Sequence, residues 1–336
     1  MLGEEGILSS IPLDVAVGDY DHTRDLASGK VRADGLKLTF LEMPFEEIVF
    51  RFLKYREWDV SEMSMGAYCS LRSQNDDSLM AIPVFTSRMF RHSSIYVRSD
   101  SKLRGPGELA GKRVGIPEWD QTAVIYGRAI LMHVHGVGLQ EIEWQQAGVN
   151  APGRKESTAS NIPAGVRYRS RPDRTLAQLL ESGEVDAIMT ARPPANFQNK
   201  SGAIKRLIPD LVSVEAEYYA KTGIYPIMHT VVIRRDILAS HPWIGRSLFT
   251  AFEEAKDRSV KRALDATISR YPVPGLPAFV QRWQDQSEGD IWPYGVQSNL
   301  TTLKAFLGFA FEQGVLHREL TVEELFAPST LQRYDP

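Results

Sequence analysis

The segment Leu79–Ser99, LMAIPVFTSRMFRHSSIYVRS, constrains the fold more than any other stretch. An apolar run from Met80 to Phe85 leads into a polar knot (Thr86, Ser87, Arg88, Phe90, Arg91, His92, Ser93), and Ile95, Tyr96 and Val97 again read as strand. This is strand, polar bend, strand. Two arginines, a histidine and three hydroxyl residues are costly beside buried strands unless a ligand or partner group pairs with them. An anionic ligand is one such partner, and a solvated basic loop is the plainer alternative.

Whatever recruits an anion must be local, because 39 basic and 42 acidic residues leave a formal charge of -3 and no global field for nucleic acid or an anionic membrane. The single cysteine, Cys69, excludes an internal disulfide and a cysteine-rich zinc site, and reads as a buried core thiol. MLGEEGILSS lacks the basic start and apolar run of a secretory leader, and no apolar run approaches 18 residues, so a soluble cytoplasmic protein is expected.

Around the crossing segment the chain alternates strands and helices. Leu13–Tyr20 reads as a strand that delivers Asp19, Tyr20, Asp21, His22, Thr23 and Arg24 to its C-terminal end, where open α/β sheets place ligands. Leu36–Met43 is a second strand, FEEIVFRFLKYREW a helix with one apolar face, and WDVSEMSM a third strand ending in Glu62 and Ser64. Beyond Ser99, Lys112–Ile116 is a strand, and Asp120 or Thr122 can cap the helix that runs to His135. Val149–Asp173 is poorly periodic and reads as an extended loop, a lid or an interface arm. A strand over Val185–Met189 brings Arg192 to its end, and Ile227–Ile233 is a strand interrupted by His229 and Thr230. The remainder is helical, notably Ile244–Leu264 and Thr301–Phe311, with an aromatic turn, WPYGVQSN, that contains Tyr294.

This order predicts an α/β clamshell, with residues 11–95 and 230–336 in one lobe and 96–229 in the other, and a ligand cleft between them. The segments PVFTSRMFRHSSIYVR, LAGKRVGIPEWDQTAVIYGRAIL, GEVDAIMTARPPANF and WPYGVQSN resemble those of the 4,5-dihydroxyphthalate decarboxylase family. That resemblance implies a type II periplasmic-binding-protein-like fold. It also implies a carboxy-lyase of aromatic catabolism and phthalate degradation. The reaction is non-oxidative loss of CO2 from 4,5-dihydroxyphthalate, leaving 3,4-dihydroxybenzoate.

Such chemistry needs no electron-sink cofactor, because a hydroxyl para to the departing carboxylate pushes electrons into the ring while a proton is delivered to carbon. Arg91 and Arg192, from opposite lobes, are expected to hold the carboxylates. Asp19, Ser64, Arg88, Thr122 and Tyr294 are further substrate contacts. His92 is favoured as the acid, with His22, His229 and Glu62 as the other proton-handling candidates. Asp19, His22, Glu62 and His92 could supply metal ligands, but no contiguous motif such as HExxH is present, and no metal or cofactor is expected. The expected partner is a small aromatic dicarboxylate rather than nucleic acid or membrane, with a homo-oligomer left open. A non-catalytic binding protein for such an acid, or another small-molecule enzyme on the same scaffold, is the alternative.

Overall fold

The computed structural model describes residues 10–198, 202–287 and 289–332. Most of the N-terminal segment read as lacking leader features, MLGEEGILS, lies outside the described residues. Among those described, no helix is long and apolar enough to cross a membrane.

Among the described residues, eleven strands form two sheets. β1 (Ile11–Ala16), β2 (Leu36–Leu41), β3 (Val60–Ser64), β4 (Leu79–Arg88) and β11 (Ile227–Arg234) make the first, in the order β2-β1-β3-β11-β4. The second contains β5 (Ile95–Arg98), β6 (Arg113–Ile116), β7 (Glu143–Gly148), β8 (Arg167–Thr175), β9 (Ala187–Met189) and β10 (Ile204–Arg206), in the order β10-β5-β9-β6-β7-β8. The fold is two-lobed α/β, and the chain crosses between lobes at β4–β5 and again through the helix Leu211–Thr222 into β11.

Strand direction locates the cleft. β1 runs parallel to β2 and β3, as expected for strands joined by helical crossovers, whereas β11 is antiparallel to both β3 and β4. A strand arriving from the other lobe enters at the edge where the parallel strands leave, so it must run against them. β5 repeats this in the second sheet, antiparallel to β9. The first residues of β11 therefore lie beside the last residue of β3, and His229 pairs with Ser64.

One hydrophobic core runs through both lobes. Its continuity comes from the helix Leu300–Glu312, expected with the first lobe, which packs on Thr122–His135 of the second, Phe306 meeting Tyr126 at 5.2 Å between ring centres. Arg128 reaches Gln313 Oε1 at 2.7 Å, and the Trp119 indole donates to the Gln313 carbonyl at 2.8 Å. At the cleft the lobes approach so closely that a Cβ on Gly66 would lie 2.2 Å from the Asp120 carbonyl oxygen, which only glycine tolerates.

Two local expectations change. Arg167–Thr175, read as loop, is a strand whose register pairs Glu143 with Arg167; as the outermost strand it is largely exposed and shows no apolar alternation. Neither Asp120 nor Thr122 caps its helix, which starts behind Gln121 without a side-chain cap. The Thr122 hydroxyl instead accepts the Gly66 N–H at 2.9 Å and lies 2.9 Å from Ser64 Oγ, a polar seam between lobes.

Candidate active site

Glu62 is the centre of the site. It lies on β3, wholly buried, and its carboxylate accepts four hydrogen bonds: Gly18 N–H at 2.9 Å, Tyr20 hydroxyl at 2.7 Å, Thr86 hydroxyl at 2.9 Å and His229 Nδ1 at 2.6 Å. Burial alone would push this carboxyl up, yet the donors, His229 foremost, hold it below its ordinary value. An ionised carboxylate only accepts, so Nδ1 of His229 carries the proton and Nε2 is the nitrogen left to act. The His229 side chain is 15% exposed against 0% for Glu62, so the histidine is the outward member of the pair.

Two neighbours flank the imidazole. Ser64 is its cross-strand partner, and Ser64 in turn touches Thr122 of the other lobe. Phe45, the first residue of the helix Phe45–Tyr55, stacks on the ring at 3.6 Å and 9°. The next residue, Glu46, pairs with Arg192 across the lobes at 2.5 Å, and both side chains are exposed. Arg192 follows β9, so its guanidinium comes to the cleft mouth from the second lobe.

His22 belongs to the same neighbourhood. Its ring lies between Tyr20 at 5.1 Å and Trp292 at 5.3 Å, and Nε2 is buried with no hydrogen-bond partner among the described residues. Burial pushes it down to about 4 despite the nearby Glu62 charge, so near neutrality it is uncharged and not loaded as an imidazolium acid. Asp19 is exposed beyond the end of β1.

Thr86 of the polar knot donates to Glu62, but the knot's basic residues do not converge on this site. Arg88 is buried and spent on the Tyr225 carbonyl at 3.0 Å, the Pro293 carbonyl at 2.8 Å and the Asn299 side chain, fastening the aromatic turn to the crossing. Tyr294 of that turn is core, edge-on to Phe85 at 6.5 Å. Arg91 lies against Met228 Sδ at 2.9 Å, and Met228 is buried where His229 is partly exposed. Arg91 and Arg192 share no partner, so the two-arginine clamp is not assembled. Arg91 has no carboxylate within 4 Å among the described residues, and burial pushes its pKa down to about 10, still charged at neutral pH.

His92 is also displaced from its expected role. It is buried edge-on to Tyr218 at 5.0 Å and feels the charge of His135. Burial pushes His92 down to about 4, so it too is neutral near pH 7. Phe45 is absent from the expected contacts, and Tyr20 and Thr86, expected near the ligand edge, carry no named role there. Tyr20 and Thr86 stand at strand ends where polar residues signal a site, whereas nothing in the sequence ties Phe45 to a histidine so distant along the chain. Among the described residues no group of three or more His, Cys, Asp or Glu side chains could hold a metal ion.

No family model matches the chain. A 4,5-dihydroxyphthalate decarboxylase of Comamonas testosteroni is 34% identical over 328 residues, 97% of this chain and 99% of that protein. The chain belongs to the 4,5-dihydroxyphthalate decarboxylase family. A second member, from Pseudomonas putida, is 34% identical over 220 residues, 65% of this chain and 85% of its own length. Family membership makes the chain a decarboxylase by class and sets aside the purely non-catalytic reading. The periplasmic aliphatic sulphonate binding protein SsuA of Escherichia coli superposes with a TM-score of 0.55 over 96% of this chain and 99% of its own, at 13% identity. That likeness concerns the fold, which is the expected type II periplasmic-binding-protein-like one.

Proposed function

We propose that the chain decarboxylates 4,5-dihydroxyphthalate to 3,4-dihydroxybenzoate, with His229 as the proton-transferring group. The observation that carries this is the buried Glu62 carboxylate held 2.6 Å from Nδ1 of an otherwise apolar-strand histidine at the cleft. A fixed carboxylate orients the imidazole through Nδ1–H and leaves Nε2 to face the ligand.

The substrate dianion takes one proton and loses one CO2. His229 Nε2 delivers the proton to the ring carbon that bears the departing carboxylate. The para hydroxyl supplies the electrons, its own proton passing to solvent or a neighbouring base. The carbon–carboxylate bond then breaks, its electron pair restores the aromatic ring, and the phenol is reprotonated. Arg192 pairs with the retained carboxylate, which its planar fork suits. Neither step needs an external electron acceptor.

Incubation with 4,5-dihydroxyphthalate, with chromatography for 3,4-dihydroxybenzoate and capture of CO2, tests the reading. Equal amounts of the two products are expected. Binding of the acid without product would overturn it.

A further inference from the structure

The two groups assigned to the substrate have partners within the chain itself, on consecutive residues of one segment. Phe45 lays an aromatic ring on the His229 imidazole at 3.6 Å and 9°, and Glu46 sets a carboxylate on Arg192 at 2.5 Å. A ring and a carboxylate, adjacent in the chain, thus meet an imidazole and a guanidinium from different lobes. The helix they open needs neither contact, because its hold on the core is made by Ile48 and Phe52, one turn apart and fully buried. Phe45 is only half-buried and Glu46 is exposed. Pro44 precedes them with an extended backbone outside the helix, so the pair stands at a helix terminus, where local opening is least costly.

We propose that Phe45 and Glu46 form a tethered surrogate for an aromatic carboxylate, filling the subsite until substrate displaces both. The proposal rests on the reading that His229 and Arg192 contact the substrate. It makes the segment a selector: a ligand that offers both a ring and a carboxylate replaces both contacts, whereas an aliphatic dicarboxylate replaces only that of Glu46. Ligand affinity is then set by a difference, the new contacts less the surrogate's own.

The test is calorimetric titration of phthalate, which lacks the hydroxyls that drive decarboxylation, into the wild type, Glu46→Gln, Phe45→Ala and Arg192→Gln, with maleate as the ringless control. Removing the exposed ion pair should lower the phthalate Kd about two- to fivefold. Removing the stack should lower it about two- to tenfold. Maleate should gain from Glu46→Gln and not from Phe45→Ala. In turnover Glu46→Gln should lower KM. Phthalate binding no tighter in Glu46→Gln and Phe45→Ala than in the wild type, with Arg192→Gln at least about tenfold weaker, would overturn the surrogate and leave the Arg192 contact standing. Wild-type affinity in Arg192→Gln, or no phthalate binding in any of the four proteins, would overturn the surrogate and the Arg192 contact together.

Discussion

Replacing Glu62 with glutamine keeps the shape of the side chain and removes its charge, so its cost can be worked from the four donors around it. Oε1 accepts from Tyr20, Thr86 and His229, and Oε2 accepts from the Gly18 N–H. A glutamine has one oxygen. If that oxygen faces the three side chains, its NH2 group confronts the Gly18 N–H, and if it is turned round the NH2 group confronts three donors. At least one hydrogen bond to a charged group is lost, about 1.5 to 3 kcal/mol, rising to about 3 to 5 kcal/mol when the histidine is charged and left without its partner. The pH dependence has a definite sign. The folded-state value of Glu62 is below its ordinary one, so its contribution is complete above the unfolded-state value of about 4.3 and is lost as pH falls through the folded value. Urea unfolding of wild type and Glu62→Gln between pH 3 and 8 should show the largest gap near neutrality, narrowing at the acid end, while kcat of the variant falls about a hundredfold or more. Equal stability of the two proteins at pH 7, or a gap that widens in acid, would refute the reasoning.

Further substitutions separate site from scaffold. His92→Gln should turn over within about threefold of wild type, because the His92 ring packs edge-on against Tyr218 and is not among the groups that hold Glu62 or stack on His229; a loss near the hundredfold typical of a general acid would return it to the site. Arg91→Met suits a guanidinium bedded on Met228 and Met89 sulfurs and should leave phthalate affinity within about threefold; a loss of tenfold or more in titration calorimetry would make Arg91 a ligand contact. Gly66→Ala drives a methyl group into the Asp120 carbonyl at the lobe seam and should cost about 1 to 3 kcal/mol in thermal unfolding; a wild-type Tm would show that the lobes can part there without penalty.

The fold was legible wherever a strand is buried and apolar. The runs at β1, β3, β4 and β11 announce themselves, and their order implies two crossings and so two lobes. β8 was not legible because RYRSRPDRT is an outermost strand with little buried on either face, and periodicity is a signal of burial. The helix Leu211–Thr222 escaped for the same reason, with Tyr218 its one buried residue. Within the site, Glu62 and His229 were recognisable as polar residues at the ends of apolar strands. Their pairing was not, since it depends on the register of β11 against β3. The basic knot misled because nearness to the crossing says nothing about which face of a sheet a side chain takes. Arg88 is consumed by backbone carbonyls of the aromatic turn, and His92 points into the helical packing behind the second lobe.

The central claim is that His229 moves the proton while other groups bind the acid, and His229→Gln tests it most directly. With 4,5-dihydroxyphthalate, the variant should bind the acid with nearly wild-type affinity in titration calorimetry while forming 3,4-dihydroxybenzoate and CO2 at least about a hundredfold more slowly. Product formation by His229→Gln at close to the wild-type rate would contradict the account.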